Sequence, residues 1–223
     1  MSSISISPPP GMPYLVSQLP PATAKATHID FSQTPLAGAY TGFYATVVDD
    51  AFTPAEHTTR GRASFRVSER ILRIDAEAAD VIYARLAPFV DDITELRPGG
   101  KWAAIAHRSG RVQGPVWRLA RVNPRLSFLR YGPGQYFQRH CDGLVSLEED
   151  GRVHKSFVTL HLYLSDDKNS EEGGKAQGSL AGGATRFWAP DKKHFLDVEP
   201  RVGRVLIFQQ RMLVHSGEPV TGG

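Results

Sequence analysis

The 223-residue chain is 41% apolar, enough for one packed domain, and its net charge of +3 comes from 26 basic against 23 acidic residues without long basic runs, which gives no indication of nucleic-acid binding. A single cysteine, Cys141, excludes an intramolecular disulfide, and no apolar run approaches the ~20 residues that a membrane-spanning helix needs. The opening MSSISISPPP lacks the basic flank and apolar core of a signal peptide, so an intracellular, cytoplasmic location is expected.

Residues 1–26 are rich in Ser, Pro and Ala and read as a flexible leader, which leaves 27–223 as a single domain. Phe43–Val48 is β-branched and aromatic, the pattern of a first strand closed by Asp49-Asp50. In Phe52-Thr53-Pro54-Ala55-Glu56, Thr53 suits an N-cap, Pro54 the first helical position and Glu56 the reciprocal cap of a short helix. A clearer helix opens at Asp75 and ends or kinks near Pro88, with Ala78, Val81, Ile82, Arg85, Leu86 and Phe89 on one face. Lys101–Ala106 suits a strand or a helical turn.

Between positions 111 and 130, Arg111, Arg118, Arg121, Arg125 and Arg130 punctuate strand-like text, and Asn123-Pro124 predicts a turn that folds the two halves into a hairpin. Phe157–Leu164 alternates. Val158, Leu160, Leu162 and Leu164 form an aliphatic face for helices, and Phe157, Thr159, His161 and Tyr163 form a mixed face for a cavity, as a ligand-holding barrel or sandwich requires. On that face His161 is expected as a hydrogen-bonded wall residue. Ser165–Gly183 is polar and Gly-rich, a candidate lid. Ala184–Trp188 reads as a strand, and Arg204–Phe208 as a central buried strand just before His215.

The chemistry-bearing stretch is Leu129–Gly143. On an extended strand His140 and Asp142 project from one face ~6.6 Å apart. With His215 they form a two-histidine, one-carboxylate set, which leaves coordination positions open and suits non-haem iron(II). Zinc would also accept these ligands, but HExxH, G-x-S-x-G and phosphate-cradling loops are absent from the sequence, which gives hydrolysis less support. Cys141 alternates to the opposite face.

Five ordered motifs then carry a family resemblance. Arg130–Phe137 is similar to R-Y-x-x-G-x-x-F before H-x-D, Thr159–Leu164 to a strand ending in Tyr-Leu, and Gly182–Phe187 to G-G-x-T-x-F. Pro200–Phe208 is similar to P-x-x-G-x-x-x-x-F, and His215–Val220 to H-x-G-x-P-V. Together they resemble the prolyl 4-hydroxylase-like branch of the iron(II)- and 2-oxoglutarate-dependent dioxygenases. The resemblance implies a mainly β protein with supporting helices, built on a double-stranded β-helix (jelly-roll, cupin-like) core. It implies iron(II) on His140, Asp142 and His215, the residues that would carry catalysis, with Tyr131 and Thr159 against 2-oxoglutarate.

The implied activity is hydroxylation of an unactivated C–H bond, with O2 consumed, succinate and CO2 released, and ascorbate as an accessory reductant. Its substrate would be a prolyl-like protein side chain or a small metabolite, with no membrane partner; oligomeric state leaves no mark in the sequence. One departure bears on the cosubstrate. The family carries a Lys or Arg beyond the distal histidine as carboxylate anchor, and Gly223 ends the chain before one, so the last strand is expected to be truncated, or Arg186, Arg204 or Arg211 to substitute. Without an anchor the alternative is a catalytically impaired jelly-roll binding protein.

Overall fold

A computed structural model describes residues 18–53, 69–107, 113–149, 151–164 and 181–221. Strands dominate. In chain order they are β1 (Lys25–His28), β2 (Ala45–Asp49), β3 (Glu69–Ile74), β4 (Glu95–Leu96), β5 (Trp117–Arg118), β6 (Arg125–Arg130), β7 (Phe137–His140) and β8 (Ser146–Glu149). They continue as β9 (Arg152–Lys155), β10 (Val158–Leu162), β11 (Ala181–Gly182), β12 (Thr185–Trp188), β13 (Phe195–Val198), β14 (Val205–Gln209), β15 (His215–Gly217) and β16 (Val220–Thr221). The helices are α1 (Ala37–Tyr40) and α2 (Ala76–Leu86).

Two four-stranded antiparallel sheets make the core, ordered β1-β2-β14-β10 and β13-β12-β15-β7. This is the mainly β, jelly-roll type of architecture expected; among the described residues the two sheets are not joined by strand pairing into a closed barrel. β14 shows why they stack. All five of its residues are buried, because Val205 and Ile207 face one apolar cluster and Leu206 and Phe208 face another. Alternation with both faces apolar makes a strand that must be covered on each side.

The first cluster lies between the β14 sheet and α2. Asp75 caps the helix by accepting from the Ala78 amide at 3.0 Å, and Ala79, Ile82 and Leu86 turn inward. The buried face thus keeps the expected Ile82, Arg85 and Leu86 but takes Ala79 in place of Ala78 and Val81, and the regular helix ends at Leu86, with Ala87–Phe89 as a 3₁₀ turn. Pro88 lacks an amide hydrogen and fits the start of such a turn. The Lys101–Ala106 segment also resolves into a 3₁₀ turn, at Ala103–Ile105. The second cluster fills the space between the two sheets with Phe31, Leu36, Tyr40, Phe187, Val198, Leu206, Phe208 and Leu213.

The expected hairpin around Asn123-Pro124 is replaced by two separate pairings: β5 pairs with β4, and β6 with β3. The turn itself is real, since the Asn123 side chain accepts from the Arg125 amide at 2.9 Å, while Pro124 O accepts from Asp75 N at 2.8 Å. The turn therefore hands the chain from one ladder to another. Arg118 and Arg121 pair with Glu95 and Glu149 on the exposed surface, and Arg111 lies outside the described residues. So do positions 54–56 of the helix expected from Thr53 and positions 165–180 of the expected lid. β1 starts at Lys25, two residues inside the segment expected as a leader, because Lys25 and Ala26 pair with Asp49 and Val48. No helix among the described residues is long and apolar enough to cross a membrane.

Leu86 is 2% exposed and Ile74 is 81% exposed. Leu86→Ala is expected to lower the unfolding free energy by about 2–5 kcal/mol in a urea titration, whereas Ile74→Ala should change it by less than about 0.5 kcal/mol.

Candidate metal centre

β15 pairs antiparallel with β7 so that His215 sits directly opposite His140, with a register shift between His215 and Gly217. Their rings lie 4.3 Å apart, centroid to centroid. β7 ends at His140, so Asp142 follows the strand rather than extending it, and its carboxylate folds back toward both rings. Asp142 Oδ1 is 3.5 Å from His140 Nε2 and 3.7 Å from His215 Nε2. One donor atom from each of the three residues lies within 4.8 Å of the others, while Cys141 is exposed.

The orientation of the imidazoles is set by the backbone. His140 Nδ1 is 2.7 Å from Gln138 O, and His215 Nδ1 is 3.1 Å from Leu213 O. A carbonyl oxygen only accepts, so each Nδ1 carries the proton and each Nε2 presents its lone pair to the space shared with Asp142. Burial lowers the pKa of His215, partly opposed by the Asp142 charge, which favours the neutral, metal-binding form. Asp142 is oriented too. Its Oδ2 accepts a hydrogen bond from the Thr159 hydroxyl on β10, across the gap between the sheets, leaving Oδ1 toward the histidines.

The outer face of the same sheet holds β15 in place. Trp188 Nε1 donates to Ser216 Oγ at 2.6 Å, Ser216 Oγ donates to Glu218 Oε1 at 2.7 Å, and Arg186 pairs with Glu218 at 2.9 Å and with both oxygens of Asp197 at 2.6 and 2.7 Å. A cavity of about 470 Å³ on this outer face is lined by Tyr136, Phe137, Arg139, Trp188 and Glu218 among others, but by none of the three candidate ligands.

The motif residues also meet in space. Gly134 N donates to Val220 O at 2.8 Å and Val220 N to Gln135 O at 3.1 Å, which ties the segment after Tyr131 to the segment after His215. Gly182 has φ +82°, and a Cβ there would fall 2.4 Å from Pro219 O, so only glycine allows β11 to approach β16 this closely.

Residues 126–223 match the family model described as the 2OG-Fe(II) oxygenase superfamily. No curated protein matches the chain. Among solved structures, this chain is similar to a Pseudomonas putida prolyl-4-hydroxylase at 28% identity, with a TM-score of 0.28 and 42% of each chain covered, so it spans less than half of that protein's length. It is also similar to a viral collagen prolyl hydroxylase from Paramecium Bursaria Chlorella virus-1, solved as a 2OG complex, at 20% identity, with 81% of this chain and 89% of that chain covered and a TM-score of 0.47.

The donor set of His140, Asp142 and His215 fits a single cation. Bonds of ~2.1 Å in an open, six-coordinate site bring adjacent ligand atoms to about 3 Å, and the three donors stand wider, with Asp142 Oδ1 3.5 and 3.7 Å from the two Nε2 atoms and all three within 4.8 Å of one another. Of the other sequence candidates, Thr159 joins the cluster through Asp142. Tyr131 does not: it is partly buried, which raises its pKa, and among the described residues its hydroxyl makes no hydrogen bond. The three candidate substitute anchors are engaged elsewhere. Arg186 has Asp197 and Glu218, Arg204 has Asp49 at 2.6 Å and Glu199 O at 2.8 Å, and Arg211 reaches Ala106 O at 3.4 Å.

His161 departs from its expected role, since it makes no hydrogen bond among the described residues. Its ring packs 5.2 Å from Phe208 and 6.2 Å from His215, and burial, then the His215 charge, push its pKa down to about 4. Its two-residue spacing from Thr159 on one strand was the signal that it shares the same space.

Replacing the Thr159 hydroxyl removes the hydrogen bond that holds Asp142. Thr159→Val is expected to weaken cobalt(II) binding roughly 10- to 100-fold in a calorimetric titration, with Thr159→Ser close to wild type.

Proposed function

We propose that this protein is an iron(II)- and 2-oxoglutarate-dependent dioxygenase that hydroxylates an unactivated C–H bond with release of succinate and CO2. One observation carries the proposal: His140, Asp142 and His215 converge with both Nε2 lone pairs and Asp142 Oδ1 turned to a common point. These three residues would hold iron(II). Thr159 and Tyr131 are assigned to the cosubstrate side of the site, Thr159 on the strength of its place beside Asp142 and Tyr131 on the motif it belongs to. Bound iron(II) would supply O2 activation coupled to oxidation of 2-oxoglutarate, with ascorbate as an accessory reductant.

The chain's own residues supply orientation and access. Gln138 O and Leu213 O fix the imidazole protons away from the metal position, and Thr159 fixes the carboxylate. The His215 side chain is 3% exposed, whereas those of His140 and Asp142 are each 25% exposed, so the ligand cluster opens on its β7 side. Substrate approaches from there. A prolyl-like protein side chain or a small metabolite meets this requirement, and the dioxygenase domain expected over residues 27–223 takes in Lys25 and Ala26 of β1 as well.

The engagement of Arg186, Arg204 and Arg211 favours one other reading, a jelly-roll binding protein impaired in catalysis. Succinate formation separates the two. With iron(II), 2-oxoglutarate and O2, wild-type protein is expected to release succinate, and His140→Ala to fall to the rate without protein; equal rates for the two would overturn the assignment.

A further inference from the structure

We propose that the outer face of the β13-β12-β15-β7 sheet carries a second binding site, which takes an apolar α-amino acid as its zwitterion, with the carboxylate on Arg139 and the ammonium toward Glu218. The site is separate from the metal cluster: Arg139 and Ser216 line the outer cavity, whereas the neighbouring His140 and His215 turn to the opposite face of β7 and β15.

Arg139 supplies the cation. Its guanidinium carbon lies 3.5 Å from the centre of the Trp188 ring, and that buried ring is itself fixed by donation from Nε1 to Ser216 Oγ at 2.6 Å. Among the described residues no carboxylate pairs with Arg139 and no carbonyl accepts from it. A guanidinium held flat on an indole keeps its N–H edge free, and that edge matches the two oxygens of a carboxylate. The side chain is exposed and lines the cavity of about 470 Å³, a volume usual for small-molecule sites.

Glu218 lines the same cavity with the opposite charge. Its Oε1 accepts from Ser216 Oγ and its Oε2 pairs with Arg186, which leaves each oxygen a further lone pair. Arg186, Asp197 and Glu218 together carry one net negative charge, and Arg139 brings this face to zero. A dianion such as a phosphate would leave the face strongly negative, and a plain carboxylate would be drawn to one wall and repelled by the other. A zwitterion keeps the balance and finds a partner at each end. Tyr136, Phe137 and Pro219 make the cavity's apolar lining, and the two rings are exposed, so an apolar side chain on the ligand gains by covering them.

The test titrates the isotope-labelled, metal-free chain with L-phenylalanine and follows the Trp188 indole N–H signal by NMR, assigned with Trp188→Phe. The signal is expected to shift saturably, with a Kd on the order of 1 mM. Phenylalaninamide lacks the carboxylate and 3-phenylpropionate lacks the ammonium, and each is expected to bind roughly 10- to 100-fold more weakly. Arg139→Gln is expected to weaken L-phenylalanine by the same factor and to bind it no better than the amide. Glu218→Gln is expected to bind L-phenylalanine no better than 3-phenylpropionate. Absence of a saturable shift, wild-type affinity for either analogue equal to that for L-phenylalanine, or unchanged affinity in Arg139→Gln would each overturn the site. Cobalt(II) affinity of Arg139→Gln is expected to equal that of wild type; a fall would tie Arg139 to the metal cluster and overturn the separation of the two sites.

Discussion

The pairing of β15 with β7 is the constraint on which the candidate site depends. It sets His215 opposite His140 and brings together two residues 75 positions apart in the chain. Pairing alone would leave the rings free to turn. Two backbone carbonyls, Gln138 O and Leu213 O, remove that freedom by taking the Nδ1 protons, and Thr159 does the same for the carboxylate from the other sheet. Each candidate ligand is thus held by a partner outside the cluster, the arrangement by which a protein lowers the entropic cost of assembling a metal site.

The two faces of the β7–β15 sheet divide the work. Inward, Phe187 and Phe208 pack with His215, which keeps that imidazole buried and neutral. Outward, the Trp188, Ser216, Glu218, Arg186 and Asp197 network fixes the strand immediately beside His215. Individually such partly exposed ion pairs contribute little, but a bidentate arginine shared by two carboxylates loses less entropy per contact. Rigidity behind the ligands is therefore built from polar side chains, and the dry side of the site from aromatic ones.

Much of this could be read from residue order, but unevenly. The alternation expected over Phe157–Leu164 holds within the strand, with Val158, Leu160 and Leu162 on the helix side and Thr159, His161 and Tyr163 on the inner side, because strand geometry imposes a period of two; Phe157, just before the strand, packs on the helix-side cluster instead of the inner face, and Leu164, past its end, is exposed. Pairing partners were not legible. The stretches either side of Asn123-Pro124 looked like a hairpin because a turn signal specifies a reversal and nothing about which strand lies next to it; Glu69–Ile74 and Glu95–Leu96 took the two places instead. That His161 makes no hydrogen bond among the described residues was missed for a similar reason, since whether a histidine finds a partner depends on residues distant in sequence.

The sequence by itself determined the residue types and their local faces: a central buried strand at Arg204–Phe208, a helix opening at Asp75, and a histidine and an aspartate two positions apart. These follow from short-range geometry, which hydrophobic period and capping chemistry encode directly. Tertiary structure decided which groups meet: His215 with His140 through one strand pair, Thr159 with Asp142 across the sheets, and Arg186, Arg204 and Arg211 with partners away from the cluster. Such meetings are set by packing of whole sheets, where a register shift of one residue would turn every side chain to the other face.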